Sequence, residues 1–201
     1  MTRTRAPRIL VVDDQPRLAD ALARTAPDLE LLETKDGGGT RPHARSWREA
    51  EAWLSARHPP DAVVLDLRFD LPDEELLPDL RPLGETAAGR RLRRERRERQ
   101  GLFVLERLRR RFPDLPVLLT TAYEDVPFED DARVLRADAF TYATAQDQTT
   151  AAGVLAALRR LLAARDAPAR TGRFFWGRSR AMRELRRRVA SLAPTPMPLL
   201  V

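Results

Sequence analysis

Four side chains that suit a cation or a phosphate follow apolar runs of the sequence. Asp13 and Asp14 come directly after the strand-like run in "RILVVDD", Asp66 ends the run in "VVLDLRF", and Thr121 stands in "LLTTAYED". Crowded carboxylates repel, so they raise one another's pKa or hold a cation, and Mg²⁺ prefers such oxygen ligands. These residues predict a magnesium site at which Asp66 attacks a phosphoryl group and Thr121 hydrogen-bonds a phosphate oxygen.

The elements that must bring these residues together alternate along the chain. Apolar runs predict strands at 8–12, 29–33, 61–65, 116–120 and 138–142. Amphipathic stretches between and after them predict helices at 17–25, 46–56, 102–112, 132–135 and 148–164. Five consecutive strand–helix units imply a parallel sheet covered by helices, and its functional crevice lies at the carboxyl ends of the strands.

The composition restricts the chemistry. The chain has 201 residues, no cysteine and two histidines, His43 and His58, so disulfides, thiolate catalysis and multi-histidine metal sites are not expected. No apolar run approaches the length of a membrane span or a signal peptide, which predicts a cytoplasmic protein with no membrane partner. Of the 36 basic residues 35 are arginine, interleaved with glutamate, which indicates solvated helix faces and does not favour direct binding of nucleic acid.

Four segments resemble the receiver domain of bacterial response regulators. "ILVVDDQPRLADAL" is similar to the family's first strand, acid pair and first helix, "DAVVLDLRF" to the strand with the phosphoacceptor, "PVLLTTAYED" to the fourth strand, and "RADAFTY" to the fifth. The resemblance covers residues 8 to about 165. It implies a doubly wound α/β fold of the flavodoxin or CheY-like kind, with a five-stranded parallel sheet in the order 2-1-3-4-5.

The resemblance also implies the roles of the acids. Asp13 and Asp14 would be the acid pair that holds Mg²⁺, and Asp66 would be both a metal ligand and the aspartate phosphorylated by a histidine kinase. The backbone carbonyl of Arg68 would be a further metal ligand.

The switch residues of the family are only partly present. Thr121 would be the switch hydroxyl and Phe140 the switch aromatic; Thr120 is the rival of Thr121, disfavoured because the family's threonine directly precedes the alanine. The family's lysine, three residues after the aromatic, is replaced by Ala143. The chain's one lysine, Lys35, follows the second predicted strand.

The missing lysine leaves two functions open. One is a degenerate receiver that is still phosphorylated, with an arginine such as Arg68 reaching the phosphate; the other is a phosphorylation-independent module for protein interaction or dimerisation. A third class, a magnesium-dependent phosphohydrolase using Asp66 and Asp70, is less favoured because Asp70 follows the predicted end of the strand. The chain is therefore expected to be a regulator and not an enzyme.

Two segments exceed the family pattern. An insertion at about 69–100 has an acidic, proline-punctuated half, "FDLPDEELLPDLRPLGE", and an arginine-rich half, "TAAGRRLRRERRERQ", expected to be helical. It is either a lid or docking arm beside Asp66 or a solvated helix extension in which glutamates offset arginines at helical spacing. The shorter "KDGGGTRPHARS" is predicted to be a flexible loop after the second strand.

The C-terminal residues resemble a different module. The sequence predicts a receiver at 1–165, a linker at 166–173 and a helical extension at 174–201. This extension is similar to the entry of the AAA+ domain of sigma-54-dependent, nitrogen-regulation-type activators. No G-x-x-x-x-G-K-[ST] phosphate loop occurs, so we expect no ATPase activity and a fragment of a longer activator. The aromatic residues Phe174, Phe175 and Trp176 suggest a homodimer.

Overall fold

The computed structural model describes residues 5–36, 39–78, 84–121, 139–142 and 148–166. The chain divides into two compact units, Met1–Arg165 and Asp166–Val201, and nearly all described residues belong to the first. The predicted linker and AAA+ segment lie outside the described residues, apart from Asp166. No helix in the described part of the chain is long and apolar enough to span a bilayer.

The first unit is built on one parallel five-stranded sheet. Its strands are β1 (Arg8–Val12), β2 (Glu30–Leu31), β5 (Ala62–Asp66), β6 (Val117–Thr121) and β7 (Ala139–Tyr142). Their order is β2-β1-β5-β6-β7, with every pairing parallel, which confirms the predicted order 2-1-3-4-5. The last three strands begin one residue later than predicted.

The second strand differs most from the prediction. Only Glu30–Leu31 pairs with β1, and the chain then forms an antiparallel hairpin from β3 (Thr34–Asp36) and β4 (Gly39–Arg41). Pairing with β1 resumes at Ala44, whose amide donates to Val11 and whose carbonyl accepts from Asp13, at 2.8 and 2.9 Å. The predicted strand at 29–33 is thus too long, and the predicted flexible loop is a hairpin inserted along the β1 edge, with Lys35 in it.

Helices cover both faces of the sheet. The helices of the described residues are α1 (Arg17–Thr25), α2 (Trp47–Leu54), α3 (Ala87–Glu98), α4 (Gln100–Arg111) and α5 (Gln148–Asp166), with a 3₁₀ turn at Asp73–Glu75. The side chains of α1 and α5 pack on one face with Ile9, Val11 and Val64, and those of α2 and α4 pack on the other with Leu10, Val12 and Leu65. Both faces of β1 and β5 are buried, which explains their unbroken apolar runs. The predicted helix at 132–135 lies outside the described residues.

The insertion after β5 is part of the core. Phe69, Leu71, Leu76 and Leu77 are at most 2% exposed and belong to the α2/α4 side of the core. The buried Gln100 accepts a hydrogen bond from the Leu77 amide at 3.0 Å. The alternative of a solvated extension is therefore wrong for the apolar residues of the acidic half.

The arginine-rich half is helical, as predicted, and the two halves of the insertion pair with each other. Helix α3 is capped by the Thr86 hydroxyl, which accepts from the Gly89 amide at 3.1 Å. Arg93 forms ion pairs with Asp73, at 2.6 Å, and with Glu85, at 3.2 Å. These contacts fix α3 against the segment that follows β5.

Candidate metal centre

Three carboxylates meet at the carboxyl edge of the sheet. Asp13 and Asp14 directly follow β1, and Asp66 is the last residue of the neighbouring strand β5. One carboxylate oxygen of each lies within 4.8 Å of the others. The sequence predicted this convergence because the ends of adjacent parallel strands lie side by side.

Backbone amides orient the acid pair. The Gln15 amide donates to Oδ1 of Asp13 at 2.7 Å, and the Gln15 side-chain amide donates to Oδ2 of Asp14 at 3.0 Å. The same Oδ2 of Asp14 accepts the amide of Asp70, from the insertion, at 3.1 Å. The insertion therefore contacts the acid pair through its backbone.

The end of β5 is held by its neighbours. The Leu67 amide donates to the Thr120 carbonyl at 2.9 Å, which extends the pairing of β5 with β6 beyond Asp66. The Arg68 amide donates to Oδ2 of Asp66 at 3.2 Å. Helix α4 begins against this turn, since the Gly101 amide donates to the Leu67 carbonyl at 2.8 Å.

Gly101 is required at that contact. A Cβ added to Gly101 would stand 2.1 Å from the Asp66 carbonyl oxygen and 2.7 Å from the Leu67 Cα. Both are backbone atoms, so a larger residue would push α4 away from the end of β5. The glycine thus lets the first turn of α4 pack directly behind the phosphoacceptor candidate.

Burial makes the acidic cluster electrostatically unfavourable without a cation. Asp13 is 8% exposed, and burial, with a smaller contribution from the Asp14 charge, raises its pKa from 3.8 to about 7, against the opposing hydrogen bond from Gln15. Burial, followed by the charge of Asp13, also raises the pKa of Asp66 well above its ordinary value. The protein keeps carboxylates where desolvation and mutual repulsion oppose their ionisation.

This donor set fits a small divalent cation. The three groups offer only hard oxygen ligands, and a cation would offset both the desolvation and the repulsion of their charges. Asp13, Asp14 and Asp66 are therefore the residues that would hold a metal ion. A contribution from the Arg68 carbonyl stays a prediction.

Two of the predicted switch residues, Thr121 and Phe140, lie in the described strands β6 and β7. Thr121 is buried at the end of β6, one residue beyond Thr120, which is the partner of Asp66 in the β5–β6 pairing. The Thr120 hydroxyl donates to the Leu65 carbonyl at 3.3 Å, so it is engaged inside the sheet. Phe140 lies in β7 opposite Leu119, and Ala143 is outside the described residues.

Sequence reasoning missed Arg97, which lies beside the site and pairs with Asp70. The Asp70 carboxylate forms an ion pair with Arg97 at 2.7 Å, which weakens the case for Asp70 as the base of a hydrolase. Arg97 also donates to the Leu71 carbonyl at 3.0 Å. The apolar residues Leu71, Leu76 and Leu77, spaced within the acidic half, were the signal that this segment packs on the core and brings α3 to the site.

The fold matches response regulator receivers of known structure. The phosphorylated cyanobacterial phytochrome response regulator RcpA is 16% identical over 79% of this chain and 95% of that chain, with a TM-score of 0.51. A CheY-like receiver domain protein from Methanospirillum hungatei is 16% identical over 80% and 96%, with a TM-score of 0.50. NtrX from Brucella abortus, solved with ADP, is 20% identical, with a TM-score of 0.53; the match covers 94% of this chain but 35% of NtrX.

No protein-family model matches the sequence, and no curated protein matches it either. At sequence identities of 16–20%, the structural matches show the fold alone. The chain has the CheY-like receiver fold, an α/β fold with a parallel sheet between two layers of helices. Its structural neighbours are response regulator receiver domains, NtrX among them.

Proposed function

We propose that this chain is the signal-receiving domain of a two-component, sigma-54-dependent transcriptional activator, phosphorylated on Asp66 with Mg²⁺. The observation that carries the proposal is the convergence of Asp13, Asp14 and Asp66 within 4.8 Å at the functional edge of a receiver fold. The chain itself acts as a regulator and not as an enzyme with turnover of its own. The partner would be a histidine kinase.

The reaction is a phosphoryl transfer to a carboxylate. An oxygen of Asp66 forms a bond to phosphorus, while the bond from phosphorus to the donor breaks and its electron pair stays with the donor, a phosphohistidine or acetyl phosphate. Magnesium held by Asp13, Asp14 and Asp66 would offset the charge that the phosphoryl group brings. The Thr121 hydroxyl would hydrogen-bond a phosphate oxygen, and Phe140 would respond to that contact.

The assignment to a sigma-54-dependent activator rests on the resemblance of the C-terminal residues. Residues 174–201 are similar to the start of an AAA+ activator domain, so the phosphorylated receiver would control the assembly of that domain in a longer chain. A homodimer of the receiver is the state through which this control would act. Direct contact with nucleic acid would belong to other parts of such a protein.

A second function is favoured by one specific observation. Ala143 replaces the lysine that pairs with the phosphate in the receiver family, and Lys35, the one lysine of the chain, lies in the β3–β4 hairpin. A receiver without this cation could serve as a phosphorylation-independent module for protein interaction or dimerisation.

Binding of beryllofluoride, a phosphoryl mimic, separates these functions. Fluorine NMR of the chain with Mg²⁺ should show a bound signal that Asp66→Ala abolishes, and sedimentation should report whether the oligomeric state changes with it. Bound signal only in Ala143→Lys would mean that the natural chain has lost phosphate sensing and would favour the interaction module.

A further inference from the structure

A phosphoryl group on Asp66 would need a cation other than the lysine of the receiver family, because Ala143 holds that position. A phosphoryl group on Asp66 adds about two negative charges beside the acid pair, and magnesium compensates only part of them. In the described part of the chain, Arg97 is a cationic group held next to the turn that follows Asp66.

Arg97, near the end of α3, is fixed in that place by its backbone. Its carbonyl accepts the amide of Phe69 at 3.0 Å, and Phe69 is three residues after Asp66. Phe69 is fully buried, so this contact joins the end of α3 firmly to the segment that leaves the phosphoacceptor candidate. The side chain of Arg97 consequently starts from a fixed point at the rim of the site.

The Arg97 guanidinium is oriented but only partly satisfied. One terminal nitrogen pairs with the Asp70 carboxylate at 2.7 Å, and the other donates to the Leu71 carbonyl at 3.0 Å. Its Nε is buried without a hydrogen-bond partner among the described residues. The Asp70 amide in turn donates to the Asp14 carboxylate, so Asp70 links the Arg97–Asp70 ion pair to the acidic cluster.

We propose that Arg97 is the cation that binds a phosphoryl group on Asp66, and that Asp70 holds the guanidinium at the rim until the phosphoryl group arrives. This inference rests on the proposed function. The Asp70 side chain is 74% exposed, so solvent weakens its attraction for Arg97. A phosphoryl dianion is the stronger acceptor, and the unpartnered Nε supplies the second donor of a bidentate contact.

The exchange of partners would also transmit the signal. When Arg97 leaves Asp70 for the phosphoryl group, the contacts that join α3 to the 69–71 segment change. The exposed face of α3 would then move in response to phosphorylation, although the family's lysine is absent.

The test measures the rate at which acetyl phosphate and Mg²⁺ phosphorylate the full chain, followed by intact-protein mass spectrometry. Arg97→Gln should slow the reaction about tenfold or more, because a charge-assisted bidentate contact is lost. Asp70→Asn should speed it severalfold, because the competitor for Arg97 is weakened. Arg94→Gln, the same change at an exposed position of α3, is the matched control and should leave the rate unchanged.

The outcomes separate this inference from the proposed function. An inert natural chain would overturn the proposed function and the role of Arg97 with it. If the natural chain and Arg97→Gln react equally fast, the role of Arg97 alone is overturned. The same holds if the natural chain reacts and Arg68→Gln is the variant that loses activity. Should Arg97→Gln fail to fold, Asp70→Asn decides: a faster reaction supports the exchange, and an unchanged or slower one refutes it.

Discussion

Replacing Asp13 with asparagine should stabilise the metal-free protein at alkaline pH. The side chain is 8% exposed, and its pKa is raised from 3.8 to about 7, chiefly by burial. A shift of about 3 units corresponds to roughly 4 kcal/mol of penalty for the ionised form, at about 1.4 kcal/mol per unit. Asparagine keeps the acceptor for the Gln15 amide but still buries an amide, so we expect a gain of about 1–3 kcal/mol at pH 8.

The sign of the pH dependence follows from the same shift. Between about pH 4 and pH 7 the folded chain holds the Asp13 proton more tightly than the unfolded chain does, so the free energy of unfolding falls as the pH rises through this window. The natural metal-free chain should therefore be more stable at pH 5.5 than at pH 8. The pKa of Asp66 is also raised, so the Asp13→Asn variant should keep part of the pH dependence of stability.

Urea unfolding in EDTA at the two pH values, followed by circular dichroism, measures both effects. Mg²⁺ should then restore the stability of the natural chain at pH 8 and have little effect on Asp13→Asn. Asp28→Asn is a suitable control, because a hydrogen bond from Arg159 holds the pKa of this surface carboxyl below its ordinary value and its removal should not stabilise the fold. A natural chain as stable at pH 8 as at pH 5.5, or a destabilised Asp13→Asn, would refute the reasoning.

Three further substitutions test the packing and the switch. Gly101→Ala should cost about 1–3 kcal/mol of unfolding free energy and weaken Mg²⁺ binding in calorimetry, because its Cβ would meet backbone atoms at the end of β5. Gly153→Ala, with nothing within 4 Å of its added Cβ, should be neutral or slightly stabilising. Leu76→Ala should cost about 2–5 kcal/mol in urea unfolding, since it is fully buried; a loss below about 0.5 kcal/mol would mean that the insertion is not part of the core. Thr121→Ala should weaken beryllofluoride binding and spare Mg²⁺ binding, while Thr120→Ala should spare both; the reverse result would make the other threonine the switch hydroxyl.

The sheet was predictable because its central strands are buried on both faces. The apolar runs that contain Leu10, Val64 and Leu119 can only be covered by helices on two sides, so their alternation with amphipathic stretches predicts the parallel sheet. The acidic cluster followed from the same pattern, since acids that end adjacent strands must converge. Strand limits shifted by a residue because pairing, which the sequence does not show, decides where a strand begins.

The hairpin and the insertion were predicted less well because long-range contacts hold them. Ala44 returns to the β1 edge through two backbone hydrogen bonds, and no local pattern in "KDGGGTRPHARS" indicates this return. Arg93 and Arg97 lie in a helix whose charges suggest a solvated surface, but both pair with acids from the preceding segment. Helical periodicity identified the helix and could not identify those partners.

The most direct test of phosphorylation at Asp66 is to locate the phosphoryl group. The chain is incubated with acetyl phosphate and Mg²⁺ and digested rapidly at mildly acidic pH, where an acyl phosphate is least labile, and mass spectrometry of the peptides maps the modified residue. One phosphoryl group on the peptide that contains Asp66, dependent on Mg²⁺ and absent from Asp66→Asn, is the predicted result. No incorporation with Mg²⁺ present, or equal incorporation in Asp66→Asn, would contradict the proposed function.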